Sequence, residues 1–186
     1  NITYDDTYGA IVELKFENTP VFGEIIINKT YEDLVENLPT TIFGLYANED
    51  IYYNNQLIYH KHDLVAEIST DSNGYAKISN LYLADYYIKE LATDEMYVLD
   101  EELYYVSLEY QDQYTAIVVY EFNIENELKR GNLVILKTDA DSGELLSGAT
   151  FSIYDMNDEL VYTGTSDEFG KLELTDLKYG EYYLVE

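Results

Sequence analysis

The stretch FENTPVFGEIIINKTYED (residues 16–33) returns in altered form as IENELKRGNLVILKTDAD (residues 124–141). Three residues of the first stretch recur 108 positions later in the second. Asn18 returns as Asn126, Gly23 as Gly131 and Lys29 as Lys137. Apolar, strand-like residues surround each of them. Because self-similarity at a fixed period is the signature of a repeat architecture, the sequence predicts a tandem array of one structural unit.

Two further matches set the bounds of the predicted units. Residues 4–18 match residues 110–126, and residues 74–90 match residues 170–186 at a shorter offset, since the first unit has a longer hairpin. We therefore predict three parts, namely the final strands of a preceding unit (1–18), a complete unit (19–127) and the first part of a following unit (128–186). On this reading the sequence is a piece of a longer protein.

The apolar residues follow the two-residue period of β-strands. In VELKFEN (residues 12–18) and EFNIEN (residues 121–126), alternate residues lie on opposite faces of the strand. Turn signals, among them DSNG at residues 71–74 and DEFG at residues 167–170, interrupt the strands at short intervals. This pattern predicts an all-β chain of antiparallel β-sandwiches.

Charge and composition exclude several classes of function. The net charge of −27 repels phosphate backbones and anionic lipid headgroups, so neither nucleic acid nor a membrane is expected as a partner. The sequence contains no apolar run of membrane-spanning length. Without cysteine, the chain has neither disulfides nor thiolate metal ligands. No metal and no cofactor is expected.

Three polar residues interrupt the apolar faces of strands. Lys29 ends EIIINK in phase with two isoleucines, and Glu90 ends YYIKE in phase with Tyr86 and Ile88. Asn126 occupies the same kind of position at the end of FNIEN. The pattern therefore predicts that an amine, a carboxyl and a carboxamide all point toward a core.

Two interpretations of these residues follow from the pattern alone. In the first they form a structural ion pair with an amide neighbour, or point into solvent beyond the last core layer. In the second, burial lowers the pKa of the lysine and raises that of the glutamate, so that both groups are neutral. A neutral amine is a nucleophile, and a neighbouring acid can polarise the carboxamide while ammonia is displaced. The product is a covalent Lys–Asn amide.

The motifs around these residues resemble collagen-adhesin B-type (Cna B-type) modules, which include the SpaA-like repeats of Gram-positive pilins and surface proteins. GEIIINKTYED and GNLVILKTDADSGELLSGATFSIYD resemble the first strands of such modules. STDSNGYAKISNLYLADYYIKELATDEMYVLD resembles the central stretch that ends in the E-box, and FNIENELKRG resembles the final asparagine strand. The usual Pro-Glu-Gly-Tyr run after the E-box is replaced here by a run that begins at Thr93.

The resemblance implies a prealbumin-like (Ig-like) sandwich with a self-catalysed isopeptide bond. It assigns Lys29 as the nucleophile, Asn126 as the electrophile and Glu90 as the catalytic acid. Half-sites of the flanking modules are expected at Asn18 and, for the following module, at the pair Lys137 and Glu186. Because the bond forms once per molecule, we do not expect an enzyme.

The resemblance also implies a structural stalk module of a cell-wall-anchored surface protein or pilus of a Gram-positive bacterium. Its expected partners are neighbouring modules of the same polypeptide. A ligand-binding adhesin module that recognises a host protein or a glycan is the alternative. Head-to-tail strand exchange between copies, in which residues 4–18 complete another copy's last module, is a further hypothesis. The LPTT sequence at residues 38–41 is interpreted as a loop rather than as a sorting signal.

Overall fold

A computed structural model describes Lys15 and residues 19–186, which form strands and turns. The nine strands of the first part are β1 (Phe22–Tyr31), β2 (Ile42–Ala47), β3 (Ile51–Tyr53), β4 (Gln56–Tyr59), β5 (Leu64–Ser69), β6 (Tyr75–Leu81), β7 (Asp85–Ala92), β8 (Leu103–Ser107) and β9 (Ile117–Asn126). The five strands of the second part are β10 (Arg130–Leu136), β11 (Thr150–Asp155), β12 (Leu160–Thr165), β13 (Lys171–Lys178) and β14 (Tyr182–Val185). The predicted all-β class is confirmed. None of the described residues forms a helix long and apolar enough to cross a bilayer.

In the first part, two sheets enclose one apolar core. One sheet has the strand order β6-β1-β9, the other has the order β5-β2-β7-β8, and β3 and β4 form a separate hairpin. Alternate residues of each strand face inward, as the two-residue period predicts. Ile25, Ile27 and Ile124 of the first sheet therefore join Phe43 and Ile88 of the second in one buried cluster. Burial of this apolar surface is the main force that holds the sheets together.

The pairing of β1 with β9 differs from the predicted antiparallel arrangement. These two strands run parallel, with Lys29 opposite Ile124 and Tyr31 opposite Asn126, whereas the other strand pairs of the described sheets are antiparallel. Hydrophobic periodicity identifies the face of a strand but carries no information on its direction. The first and last strands of the unit thus lie side by side.

The second part repeats the pairing of the first. Strand β10 pairs with β13 as β1 pairs with β6, and β11 lies between β12 and β14 as β2 lies between β5 and β7. Phe151, Ile153 and Leu172 are its buried apolar residues. The tandem repetition predicted from the sequence is therefore present in the fold. Asn18 and the rest of the predicted preceding unit, apart from Lys15, lie outside the described residues.

Backbone hydrogen bonds attach the segment between the two parts to the first part. The Val98 N–H donates to Glu127 O at 2.9 Å, and the Lys129 N–H donates to Met96 O at 2.8 Å. The connection is therefore an ordered extension of the first unit.

Charged side chains then join this segment to the second part. One carboxylate oxygen of Glu32 accepts hydrogen bonds from the Leu128 N–H and an Arg130 nitrogen, both at 3.0 Å, and the other accepts from Arg130 at 2.6 Å. Lys178 forms an ion pair with Asp33. The hydrogen bonds from Arg130 and from the Leu128 N–H lower the pKa of Glu32 to about 2. Residues from both parts therefore meet at a junction centred on Glu32.

Gly74, the last residue of the predicted DSNG turn, supports the backbone at Lys29. It has φ of +76°, and a Cβ atom there would lie 2.0 Å from Lys29 O. The Lys29 N–H donates to Gly74 O at 2.7 Å. Only glycine adopts this conformation easily and allows so close an approach of two backbone segments.

We predict that Gly74→Ala destabilises the protein more than Gly143→Ala does. Gly143 has nearly the same φ, +74°, but no heavy atom lies within 4 Å of the position that a Cβ atom would occupy there. Both substitutions carry the left-handed backbone cost of about 1–2 kcal/mol, and Gly74→Ala adds a backbone clash. Urea denaturation measures the loss in the free energy of unfolding for each variant. The transition of the first part is followed for Gly74→Ala, and that of the second part for Gly143→Ala. Equal losses would show that the close approach at Lys29 contributes nothing.

Candidate functional site

Lys29 lies on the core face of β1, where its side chain is 1% exposed. Its Nζ donates hydrogen bonds to Thr30 O at 2.6 Å and to Ile124 O at 3.4 Å, and it lies 4.2 Å from the centre of the Tyr31 ring. Burial lowers the pKa of Lys29 to about 8, although the negative charge of Glu90 acts in the opposite direction. The neutral amine is therefore much more populated near neutral pH than it is for an ordinary lysine.

Glu90 faces Lys29's sheet from β7 and is 0% exposed. Its Oε1 accepts a hydrogen bond from Asn126 Nδ2 at 2.7 Å and a long one, 3.5 Å, from the Asp100 N–H. Its Oε2 is buried without a hydrogen-bond partner. Burial raises the pKa of Glu90, and the hydrogen bond from Asn126 only partly opposes this shift. The environment therefore favours the protonated acid.

Asn126, at the end of β9, completes the group with an exposure of 1%. Both of its N–H groups are used, since Nδ2 also donates to Thr93 Oγ1 at 3.0 Å. Its Oδ1 is buried without a partner. The carboxamide thus presents its nitrogen to Glu90 and leaves its carbonyl oxygen unpaired.

Strand topology brings these three side chains together. In the parallel β1–β9 pair, Asn126 lies one inward-facing position beyond the residue opposite Lys29, while β7 brings Glu90 from the opposite sheet. The prediction that all three point into the core is confirmed. The alternative that these strand-end residues point into solvent is wrong, because none of the three is more than 1% exposed.

Lys137 and Glu186 of the second part also lie close together, but in a different environment. Lys137 Nζ and Glu186 Oε2 form an ion pair at 2.7 Å, and their side chains are 29% and 51% exposed. Asn18, the third predicted half-site residue, lies outside the described residues.

Sequence reasoning missed a set of hydroxyl groups beside Asn126. Thr93 Oγ1 lies 3.2 Å from Thr41 Oγ1, which in turn forms a close contact with Tyr31 OH. The Tyr31 hydroxyl donates to Pro39 O at 3.0 Å. Two signals were available, namely the departure from the family run at Thr93 and the LPTT loop, but neither indicates that the two segments meet.

An open cavity of about 570 Å³ borders the site on its outer side. Asn126 and Tyr104 line it, and the other lining residues are mostly acidic, among them Asp100, Glu101 and Glu125. Among the described residues, no group of three or more histidine, aspartate or glutamate side chains is arranged to hold a metal ion.

Comparison with known proteins places this fold in a family. The SpaA prealbumin-like fold domain matches residues 23–122 and 131–186. The chain belongs to this family. The prealbumin-like fold and the SpaA-like character expected from the sequence are thereby confirmed. No curated protein sequence matches the chain.

Solved structures that align with this chain include the TIE protein of Bacillus anthracis and two pilins. The TIE protein of Bacillus anthracis aligns with a TM-score of 0.65 and 26% identity over 88% of this chain and 28% of that protein. The shaft pilin SpaA of Lactobacillus rhamnosus GG aligns with a TM-score of 0.42 and 16% identity over 84% of this chain and 83% of the pilin. The major pilin SpaA of Corynebacterium diphtheriae aligns with a TM-score of 0.44 and 21% identity over 57% of this chain and 30% of that pilin. This SpaA-family chain thus spans little more than a quarter of the Bacillus protein.

The lowered pKa of Lys29 predicts how stability depends on pH in a variant that lacks the carboxamide. In Asn126→Ala, the free energy of unfolding should rise between pH 8 and 10.5. These limits are the pKa of Lys29 in the folded protein, about 8, and the pKa of an ordinary lysine, 10.5, which applies to the unfolded chain. In this window the unfolded chain binds the extra proton, so raising the pH favours the folded state by at most about 1.4 kcal/mol per pH unit.

Urea denaturation at several pH values measures this rise, and the double variant Asn126→Ala/Lys29→Met is its control. Tyrosines and other groups titrate alike in both proteins, so the difference between the two curves isolates Lys29. Parallel curves would contradict the burial of a titrating amine.

Proposed function

We propose that Lys29 and Asn126 form a covalent amide bond and that the chain is a stalk module stabilised by this cross-link. The neutral Lys29 amine attacks Cγ of Asn126, a C–N bond to Lys29 Nζ forms, and the bond from Cγ to Nδ2 breaks. Ammonia leaves. The Glu90 carboxyl gives its proton to the departing nitrogen and recovers one from the attacking nitrogen, so no other reactant is consumed.

The observation that carries this proposal is the depth at which the three groups are buried. Lys29, Glu90 and Asn126 are each no more than 1% exposed, and one oxygen of the carboxyl and one of the amide have no partner. Each unpaired buried polar atom costs about 1–3 kcal/mol, which a purely structural trio would avoid. Formation of the bond removes the amine and releases the leaving nitrogen.

The position of Glu90 supports a role in expelling ammonia. Its Oε1 lies 2.7 Å from Nδ2, the nitrogen that leaves, and not against the carbonyl oxygen. Burial raises the pKa of this carboxyl, in the direction that the proposed proton transfer requires. Because the fold holds the reacting groups together in a dry core, proximity supplies much of the acceleration.

The parallel pairing of β1 with β9 supports a mechanical role for the cross-link. The chain enters the unit through β1 and leaves it after β9, and these strands are neighbours. A pulling force would shear the two strands apart, and a bond between Lys29 and Asn126 carries that force through covalent structure. In the chain-entropy model, closing a loop of about 100 residues contributes roughly 4–5 kcal/mol.

The division into modules and the flanking half-sites are part of the same proposal. We place module boundaries near residues 18 and 127, with Glu32 joining consecutive modules in a defined orientation through Arg130. Lys137 and Glu186 then supply the amine and the acid of the next module, whose asparagine comes from a further strand. Asn18 is assigned to the preceding module, and strand exchange between copies is one way to complete such a site.

We place this module on the outside of a Gram-positive bacterium, in a wall-anchored protein or pilus whose partners are neighbouring modules. The alternative, a binding face for host protein or glycan, receives little support from the tyrosines. Tyr46, Tyr87 and Tyr105 form a row across β2, β7 and β8, with ring centres 5.1 and 5.8 Å apart. Such cross-strand contacts stabilise the sheet itself.

Intact mass tests the cross-link directly. The folded chain should weigh one ammonia less than its sequence requires, because Nδ2 leaves as the bond forms. Lys29→Ala and Glu90→Ala should each restore the full mass. Lys77→Ala, which removes an exposed lysine paired with Glu24, should leave the deficit in place. An undiminished mass for the unsubstituted chain would refute the proposal.

Thermal unfolding tests the stabilising role. Lys29→Met removes the bond while preserving most of the packing, and it should lower Tm by roughly 15–25 °C, the equivalent of about 4 kcal/mol in a domain of this size. Lys77→Met should change Tm by only a few degrees because Lys77 is an exposed surface residue. Differential scanning calorimetry measures both, and similar melting of the two variants would contradict a stabilising bond.

A further inference from the structure

A chain of hydroxyl groups fixes the direction in which the Asn126 carboxamide points. Its members are Thr93, Thr41 and Tyr31, and it ends on the carbonyl oxygen of Pro39. Tyr31 and Thr41 are buried, with exposures of 3% and 0%. This row of hydroxyls runs from Asn126, at the end of β9, to the LPTT loop at residues 38–41. It is separate from the contact between Asn126 and Glu90.

The terminal acceptor determines every donor in this chain. Pro39 O can only accept, so the single hydroxyl proton of Tyr31 is donated to it. Thr41 must then donate to Tyr31, and Thr93 must donate to Thr41. The one remaining role of the Thr93 oxygen is to accept from Asn126 Nδ2, as its distance of 3.0 Å allows.

We propose that this hydroxyl relay is a positioning device for the cross-linking reaction. A rotated carboxamide would place its oxygen against Thr93, whose single proton would then be donated to that oxygen. The row of hydroxyls would lose one hydrogen bond as a result, either between Thr93 and Thr41 or, with every donor reversed, at Pro39 O. The relay thus holds Nδ2 against Glu90 Oε1, where the leaving nitrogen receives its proton, and keeps the carbonyl oxygen without a hydrogen bond to the acid. Thr93, Thr41 and Tyr31 act through Asn126 and do not themselves exchange protons with Lys29.

This inference rests on the proposed cross-link, and it identifies residues that set the rate rather than the outcome. Thr93→Val keeps the shape of the side chain but removes the acceptor for Nδ2. The amide can then rotate, and the cross-link should form about tenfold more slowly, the factor that corresponds to one neutral hydrogen bond. Thr93→Ser retains the hydroxyl and should react at close to the unsubstituted rate.

A second pair of variants separates positioning from stability. Tyr31→Phe and Tyr86→Phe each remove a buried hydroxyl that donates to a backbone carbonyl, Pro39 O in one case and Tyr82 O in the other. Both should lower Tm by a similar amount. Only Tyr31→Phe should slow the reaction, because Tyr86 is not connected to Asn126.

The experiment uses the full chain assembled by chemical ligation under denaturing conditions, so that it first folds when it is diluted out of urea. Samples quenched in acid are weighed to follow the loss of ammonia, and circular dichroism confirms that each variant folds. Unchanged rates in Thr93→Val and Tyr31→Phe would overturn the relay and leave the cross-link standing. Slow reaction of Thr93→Ser or of Tyr86→Phe would also overturn it, since the effect would then follow stability. An unsubstituted chain that never loses ammonia would overturn the cross-link and the relay together.

Discussion

The burial of one amine, one carboxyl and one carboxamide in an otherwise apolar core is the constraint on which the first unit depends. Moving charges out of water is costly, and a buried ion pair recovers this cost only with good geometry and additional hydrogen bonds. Here one oxygen of Glu90 and one of Asn126 have no partner. These unpaired polar atoms lower the stability of the fold locally, and the apolar contacts between the two sheets must offset that loss.

The strand order explains why this layer lies where it does. The parallel neighbours β1 and β9 place Lys29 and Asn126 on the same inward face, two residues apart in register. The second sheet supplies Glu90 through β7, which lies at the centre of that sheet. Gly74 holds the backbone of Lys29 from the other side. Each of the three polar groups is thus held by regular strands, whose backbone is more rigid than that of loops.

The two parts of the chain show how a shared sequence pattern can lead to different environments. Lys29 and Lys137 occupy the same strand phase, as do Glu90 and Glu186. The first pair is fully buried, whereas the second is a partly exposed ion pair. The difference comes from what covers each layer, since β8 and β9 border the first site. An exposed pair is solvated by water and keeps its charges at little cost.

By itself, the sequence determined the all-β class, the tandem repetition, and the inward direction of Lys29, Glu90 and Asn126. These features depend on the alternation of side chains along a strand, which is a local property of the backbone. Tertiary structure alone decided the parallel pairing of β1 with β9 and the meeting of Thr93 with Thr41. Both join segments far apart in the chain, and neither strand direction nor loop contact leaves a periodic trace in the sequence. The pKa directions of Lys29 and Glu90 likewise require the complete core, because desolvation depends on every strand that covers them.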